Sequence, residues 1–340
     1  MAEQFRAVSM AFALVDEKIQ DTSAVLPRPT EDISQIDQFL ELFPERVKPS
    51  AGGSVANVMT TFAGMVPDVG VKLYTCVGND VRGEIFAAAT NQLVGEPQID
   101  TSLPTGTCVF LLSQQGEPVD EITYYGAAEN VQIPNEDIAQ NSYQIFVSNV
   151  NTFRHERAYN KAHDLLKAVR RDSGLFVLRL SGAHSVLIDK DHLQSVLSAI
   201  RDDPEIVFAN RDEVKHITGS QHSQDEITNI FPNARVFLLT LGAEGSLLRY
   251  EGKINKIPPV SPKDKIVDTT GAGDAYMGAM LGMLSLIPYT HWTQEHVYRC
   301  ARAGAFAAGL VIQSFQSRMA QSDFEKTKLF FAGLQKTKQE

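Results

Sequence analysis

The sequence predicts an α/β fold of three layers, α/β/α, with a mostly parallel central sheet and a smaller sheet standing apart from it. Three observations carry this. From Tyr143 onward, short apolar runs alternate with amphipathic runs at helical spacing, which is the pattern of strands and crossover helices in a parallel sheet. Residues 106–127 interrupt any such alternation. Thr107-Cys108-Val109-Phe110-Leu111-Leu112 and Glu121-Ile122-Thr123-Tyr124-Tyr125 flank a Gly116 turn, a hairpin signal. The chain has 340 residues, 43% hydrophobic and 21% charged, enough for one large α/β domain with a small appendage.

Residues 5–15 read as a buried first strand ending at Asp16. The run imitates a signal peptide, but Glu3 before it and its shortness count against export. Residues 17–50 lose the pattern, with Pro27, Pro29, Pro44 and Pro49 punctuating a polar stretch. One amphipathic piece lies within it, carrying Ile33, Ile36, Phe39 and Leu40 at helical spacing. After the Gly52-Gly53 turn, Val55, Met59, Phe62 and Ala63 mark a helix packed on a sheet. Residues 72–77 read as a strand and 83–93 as a helix, before the hairpin.

The regular part places strands at 144–148, 175–180, 205–209 and 236–240. Helices at 155–171 and 190–201, and helical turns near 211–217 and 223–230, lie between them. Short strands at 246–250 and 253–257 precede a glycine-rich turn, and helices at 294–312 and 321–332 follow its own helix. There is no internal repeat and no low-complexity tract.

Lys plus Arg total 31 against 41 Asp plus Glu, a formal charge of −10. No basic run or aromatic-basic stripe is present, which argues against nucleic acid as a partner. No segment approaches the roughly 18 apolar residues of a membrane span, so no membrane partner is expected. Cys76, Cys108 and Cys300 are widely separated and lack CxxC spacing, so they read as reduced, buried thiols of a cytoplasmic protein. The eight histidines form no ligand pair of the HExxH kind.

The stretch with the most chemistry is Asp268-Thr269-Thr270-Gly271-Ala272-Gly273-Asp274, leading into an apolar helix. Gly271 and Gly273 let the backbone bend and bring its N–H groups close to a ligand. Those groups have no partner inside the helix and sit at the positive end of its dipole, a geometry that favours phosphate. Asp274 in the first turn can cap the helix, or it can take a proton from a group about to receive the phosphate. Asp16, the Gly52-Gly53 turn, Asn210 and Gly242 follow strands or open helices, so they converge on the edge where such sheets bind ligands. No GxxxxGK[ST] and no strand-borne GxGxxG exists, which excludes a P-loop and leaves a Rossmann site unsupported.

The run from Asp268 to Asp274 resembles the C-terminal motif of the ribokinase-like (PfkB) family of carbohydrate and nucleoside kinases. Ala51-Gly52-Gly53-Ser54-Val55-Ala56-Asn57 resembles that family's N-terminal Gly-Gly motif. The resemblance spans residues 5–318. It is similar to the adenosine-kinase-like branch in Ala51–Asn57, in Gly78-Asn79-Asp80 and in Thr240–Gly245. It implies a single ribokinase-like domain over 1–340, with inserted lid segments at about 17–50 and 100–130 forming a small β-sheet over the substrate. It also implies ATP and Mg²⁺ as cofactors and a sugar or nucleoside as the substrate.

Residue by residue, the resemblance implies Asp274 as catalytic base and the N–H groups of Gly271, Ala272, Gly273 and Asp274 as the anion hole. Asp16, Gly52, Gly53 and Asn57 carry over as substrate contacts, although Ala11-Phe12 stands where the family usually has Gly-Asn. Asn210-Arg211-Asp212-Glu213 resembles an Asn-x-x-Glu element that orders Mg²⁺ through water; its local alternative is a capping box. Thr240, Gly242 and Gly245 match the nucleotide-side strand and turn. The family often uses a monovalent cation such as K⁺, for which Asp268 and the Thr270 carbonyl are the corresponding positions. The loop 313–318 departs from the family form at Ser314-Phe315-Gln316. Members often form a homodimer through the exposed lid face, which the resemblance extends to this chain as an expectation.

The leading expectation is therefore transfer of the ATP γ-phosphoryl group to a hydroxymethyl group of a sugar, with adenosine or another nucleoside as the close alternative. A purine would need an apolar slot, which Phe110, Tyr124 and Tyr125 could supply. Two other classes stay open: a ligand-binding or regulatory member without turnover, and a hydrolase using Gly52-Gly53-Ser54-Val55-Ala56 as a near match to GxSxG. The latter lacks the final Gly and a preceding strong strand.

Overall fold

The alternation read from the sequence becomes a large sheet whose two faces bury different helices. The computed structural model describes residues 4–20, 23–27, 32–154, 156–181, 200, 204–219, 231–260 and 266–336. In chain order the strands are β1 (Gln4–Met10), β2 (Leu14–Ile19), β3 (Val47–Ala51), β4 (Val71–Tyr74), β5 (Cys76–Gly78), β6 (Gln98–Asp100) and β7 (Gly106–Leu112). They continue as β8 (Pro118–Tyr124), β9 (Ser142–Asn149), β10 (Leu175–Arg179), β11 (Ile206–Asn210), β12 (Val236–Thr240), β13 (Ser246–Tyr250) and β14 (Lys253–Ile257). The helices are α1 (Ile33–Glu41), α2 (Ser54–Met65), α3 (Val81–Thr90), α4 (Asn135–Gln140) and α5 (Val150–Arg154). After them come α6 (Glu156–Arg171), α7 (Arg211–Thr218), α8 (Ala272–Ser285), α9 (Gln294–Val311) and α10 (Gln321–Lys336).

The main sheet runs β14-β13-β12-β11-β10-β9-β1-β4. From β4 to β12 every pairing is parallel, and β13 and β14 add antiparallel. Period-2 alternation decides which face each side chain takes. Ile145, Val147, Val177, Phe208 and Leu238 join one core with α2, α8 and α9. Phe146, Phe176, Leu178, Val207 and Phe237 join the other, which includes Ala162, Leu165 and Val169 of α6. Two helical layers therefore enclose the sheet, as expected. The helix α8 is buried along its length from Asp274 to Ser285, packed against α2 and α9, which is why its sequence is apolar all round.

A second sheet, β3-β2-β7-β8, stands apart. Its outer face has its own small core, where Ile19, Val109, Leu111 and Ile122 meet Ile36 and Leu40 of α1. The tip of its hairpin reaches the glycine-rich segment, where Thr269 N donates to Gly116 O at 3.1 Å.

Two strand readings need correction. The single strand expected over 5–15 is two strands in different sheets: β1 ends at Met10, and β2 pairs with β7 and β3 of the small sheet. Asp16 therefore lies inside a strand of the small sheet rather than at the end of one. An uninterrupted apolar run gives no sign of where the chain changes sheets. Likewise 72–77 splits into β4 and β5, because Gly78 and its neighbours pair with β6 instead of continuing the main sheet. The helix α3 begins earlier than read, at Val81, since the Asp80 carboxylate accepts from Gly83 N at 2.8 Å and caps it. The helical readings at 190–201 and 223–230 fall almost wholly outside the described residues. The three cysteines are free and buried. No helix among the described residues is long and apolar enough to cross a membrane.

Candidate active site

The glycine turn does what its residues require. Gly271 caps α8 at φ +83°, and a Cβ there would lie 2.1 Å from the Ser317 carbonyl oxygen, so only glycine fits. No side chain caps this helix end. Its first-turn N–H groups are thus left for an anion or water.

Asp274 does not serve as that cap. Its carboxylate is buried and holds three partners from two other parts of the chain. Arg179 Nη1, at the end of β10, pairs with Oδ1 at 2.5 Å. Ser54 Oγ donates to Oδ1 at 2.8 Å, and Asn57 Nδ2 donates to Oδ2 at 3.1 Å. The Gly52-Gly53 turn and the first turn of α2 therefore face the first turn of α8. Arg179 also lies over Gly273, whose position for a Cβ is 3.1 Å from Nη2. Its Nε is buried with no partner among the described residues.

Beside this group β2 lowers Asp16 and Lys18 from the small sheet, two residues apart and so on one face. Asp16 is buried and accepts from Ser317 Oγ at 2.7 Å. Desolvation raises its pKa to about 6, against the lowering effects of Lys18, the Ser317 hydroxyl and Arg318. A Cβ on Gly52 would fall 1.9 Å from Asp16 Oδ1, so the Gly-Gly turn is shaped by this carboxylate. Lys18 Nζ donates to Asp268 Oδ2 at 2.6 Å, to the Phe315 carbonyl at 2.8 Å and to Ser317 Oγ at 3.0 Å. Asp268 in turn accepts Thr270 N on Oδ1 at 2.8 Å.

Arg318 fastens the same loop to the Gly52 turn and the first turn of α2. Its guanidinium donates to Asn57 Oδ1 at 2.6 Å, to Gly52 O at 3.1 Å and to Ala89 O at 2.9 Å. Burial pushes its pKa down to about 10, opposed by Asp16 and Asp274. Asn57 is thereby oriented: its oxygen faces Arg318 and its nitrogen faces Asp274.

Farther along the same sheet, Asn210 and Thr240 are direct neighbours at the ends of β11 and β12. Asn210 and Glu213 form the capping box that was the local alternative. Glu213 N donates to Asn210 Oδ1 at 2.7 Å, and Asn210 N donates to Glu213 Oε2 at 2.8 Å. Gly242 and Gly245 bound a 3₁₀ turn closed by Leu241 N donating to Gly245 O at 2.8 Å, and a Cβ on Gly242 would meet open space. An exposed pair, Arg211 to Glu244 at 2.7 Å, links the two turns.

A model of the pfkB family of carbohydrate kinases matches residues 36–323. The chain belongs to that family. The adenosine kinase of Dictyostelium discoideum is 25% identical over 301 residues, covering 82% of this chain and 84% of its own. A probable sugar kinase from Rhizobium etli CFN 42 superposes with a TM-score of 0.80 at 20% identity, over 98% of this chain and all of that one. A double-mutant fructokinase from Vibrio cholerae O395, solved with fructose, ADP and potassium ion bound, gives 0.76 at 17% identity, over 96% and 99%. The fold is thus ribokinase-like, and the chain falls in the adenosine-kinase-like branch of ATP-dependent kinases that phosphorylate an alcohol group of a sugar or nucleoside.

In this pfkB kinase the structure brings Asp274, Gly271, Gly273, Asp16, Gly52, Asn57 and Asp268 into one connected polar array. It sets Asn210, Glu213, Thr240, Gly242 and Gly245 together at the ends of β11 and β12. Sequence reasoning did not assign Lys18, Ser54, Arg179, Ser317 or Arg318. One of these left a signal. Arg179 is a charge closing the apolar run Leu175-Phe176-Val177-Leu178. The other four depend on partners more than 200 residues away.

Proposed function

We propose that this kinase transfers the γ-phosphoryl group of ATP to a hydroxymethyl group of a sugar, with Asp274 as general base. The observation that carries it is the buried Asp274 in the first turn of an uncapped helix, facing an arginine across the anion hole. The acceptor hydroxyl would give its proton to Asp274 as its oxygen bonds to the γ-phosphorus, and the bond to the β-phosphate oxygen breaks to release ADP. The N–H groups of residues 271–274 would stabilise charge on the moving group. Arg179 holds Asp274 in the resting site, and its unpartnered Nε is a donor for an incoming phosphoryl oxygen. Moving its charge onto that oxygen would free the carboxylate to take the proton.

Asp16 and Asn57 would hold the acceptor hydroxyls. Two of the three aromatics considered for a purine slot are engaged elsewhere. Tyr124 packs on the lid's own core, and Tyr125 packs edge-on against Phe12 with centroids 5.0 Å apart. Among the described residues, the side chains gathered around Asp274 and Asp16 are polar, which favours a polyhydroxyl acceptor. The adenosine kinase relative favours the second reading, a nucleoside acceptor at the same site.

Mg²⁺ would supply charge neutralisation on the phosphates. Among the described residues no group of three His, Cys, Asp or Glu side chains could hold a metal ion, so the ion would arrive on the nucleotide, with Glu213 reaching it through water. A monovalent cation, if one were used, would sit at Asp268 and the Thr270 carbonyl, the positions that the family resemblance implies. The Asp268 carboxylate already faces the Lys18 ammonium and the Thr270 N–H, so these residues do not fit a second cation, and no step passes through one.

The test is ADP release from Mg·ATP over a panel of pentoses, hexoses and nucleosides, with Asp274→Asn alongside. One acceptor should raise ADP release well above background, and the variant should lose roughly 10²- to 10⁴-fold in kcat. Full activity in Asp274→Asn would refute the base assignment. Tight binding of a sugar without turnover would favour a non-catalytic member of the family.

A further inference from the structure

We infer that Lys18 is a built-in monovalent cation: its ammonium takes the place of K⁺ at Asp268, and this enzyme needs no monovalent ion. The inference rests on the kinase reading above, but its geometry stands alone. The Lys18 side chain is 1% exposed and the Asp268 side chain 0%. A lysine is seldom buried so far unless something in the interior requires its charge.

Its surroundings match that requirement. An ammonium has three N–H donors and no acceptor. The protein offers three oxygens of different kinds: the Asp268 carboxylate, the Phe315 carbonyl and the Ser317 hydroxyl, at 2.6, 2.8 and 3.0 Å. One carboxylate with neutral carbonyl and hydroxyl oxygens is also the donor set that suits a hard cation. A free ion entering beside Asp268 would meet the ammonium at close range and be repelled.

The consequence reaches the anion hole by two routes. Asp268 Oδ1 holds Thr270 N at 2.8 Å, directly before the Gly271 turn. Ser317, another of the three Lys18 partners, supplies the carbonyl against which Gly271 is seated and the hydroxyl that holds Asp16. The ammonium therefore fixes both the phosphate-side turn and the acceptor-side carboxylate, as a bound ion would. It does so from a lid strand, so the charge arrives with the chain itself. Lys18 is a positioning residue in this account, since it acts through Asp268 and Ser317.

The experiment compares wild type with Lys18→Met and Lys18→Gln in buffers of equal ionic strength made with choline, Na⁺ or K⁺. Two quantities are read: melting temperature, and ADP release with the acceptor found above. Wild type should show the same value of each in all three buffers. Removing one partner of a buried pair should cost Lys18→Met roughly 100-fold or more in kcat in choline, with a lower melting temperature, and K⁺ should restore most of both. Lys18→Gln, which keeps a donor, should show the same K⁺ response if Lys18→Met does not fold. A wild-type enzyme that K⁺ stabilises or activates overturns the inference. So does a variant that behaves alike in all three buffers. If no acceptor yields ADP from wild type, the kinase reading fails, and the melting temperatures still decide for or against Lys18.

Discussion

If Asp16 holds the acceptor as proposed, acceptor binding should be sensitive to pH in a range most carboxylates leave untouched. Its ordinary value is 3.8, and burial raises it to about 6. Near pH 7 about nine-tenths of the enzyme then carries the carboxylate, and near pH 5 only about one-tenth. If the ionised form accepts hydrogen bonds from the acceptor hydroxyls, kcat/KM for the acceptor should fall roughly tenfold between those two pH values, while the KM for ATP should follow a different curve. Ser317→Ala removes a hydrogen bond that lowers the pKa, so the fall should begin at higher pH. Asp16→Asn should remove this limb altogether and bind acceptor weakly at every pH. Stability runs the other way. The folded state holds the Asp16 proton more tightly than the unfolded chain, so its contribution is fully present below about pH 4 and is lost as pH rises through about 6. Two units correspond to about 3 kcal/mol across that window, opposed by the other carboxylates. The assay is initial-rate kinetics from pH 5 to 8 on wild type and both variants. An acid limb that persists unchanged in Asp16→Asn would refute the reasoning.

Other expectations follow from single contacts. Gly271→Ala forces a side chain into the Ser317 carbonyl at positive φ and should destabilise by roughly 2–5 kcal/mol, read by urea denaturation. Arg318→Met leaves Asn57 Oδ1 and the Gly52 and Ala89 carbonyls without their donor. It should cost about 3 kcal/mol and raise the acceptor KM more than the KM for ATP. Arg179→Met should lower kcat by about 10²-fold with little change in acceptor KM, since the guanidinium would act on the moving phosphoryl group. Glu213→Gln keeps an acceptor oxygen for the α7 cap, so its melting temperature should stay close to wild type while its Mg²⁺ requirement rises.

Elements written in local pattern could be read from the sequence alone. The strands β9 to β14 fell within a residue or two of their positions, because each is a short apolar run bounded by polar punctuation. The Gly271–Asp274 turn was legible for the same reason: glycines, helix start and acid are adjacent. What stayed hidden was any feature set by distant partners. Met10 and Leu14 belong to one apolar stretch, yet strands from elsewhere pull them into different sheets. Lys18, following Asp16 and Glu17, looks like a solvated charge. Only Asp268 and the 315–317 loop show it to be buried. Asn210 and Glu213 carried two readings at once. The capping box is present, and it occupies some of the same atoms a water-bridged metal would use.

The proposed acceptor side is assembled from residues made very far apart in time. Ser317 meets Asp16 across 301 positions, Phe315 meets Lys18 across 297, and Arg318 meets Gly52 across 266. A ribosome that has built both glycine motifs and the whole main sheet has still not produced a working acceptor site. Until Arg318 emerges, Lys18 and Asp16 lack partners that their burial depends on, so β2 has little reason to settle over the sheet. Chains cut short before that loop should therefore be inert toward acceptor even with Asp274 in place. Such fragments would not capture substrate ahead of the finished enzyme, and proteolytic loss of the last few dozen residues would abolish activity in one step.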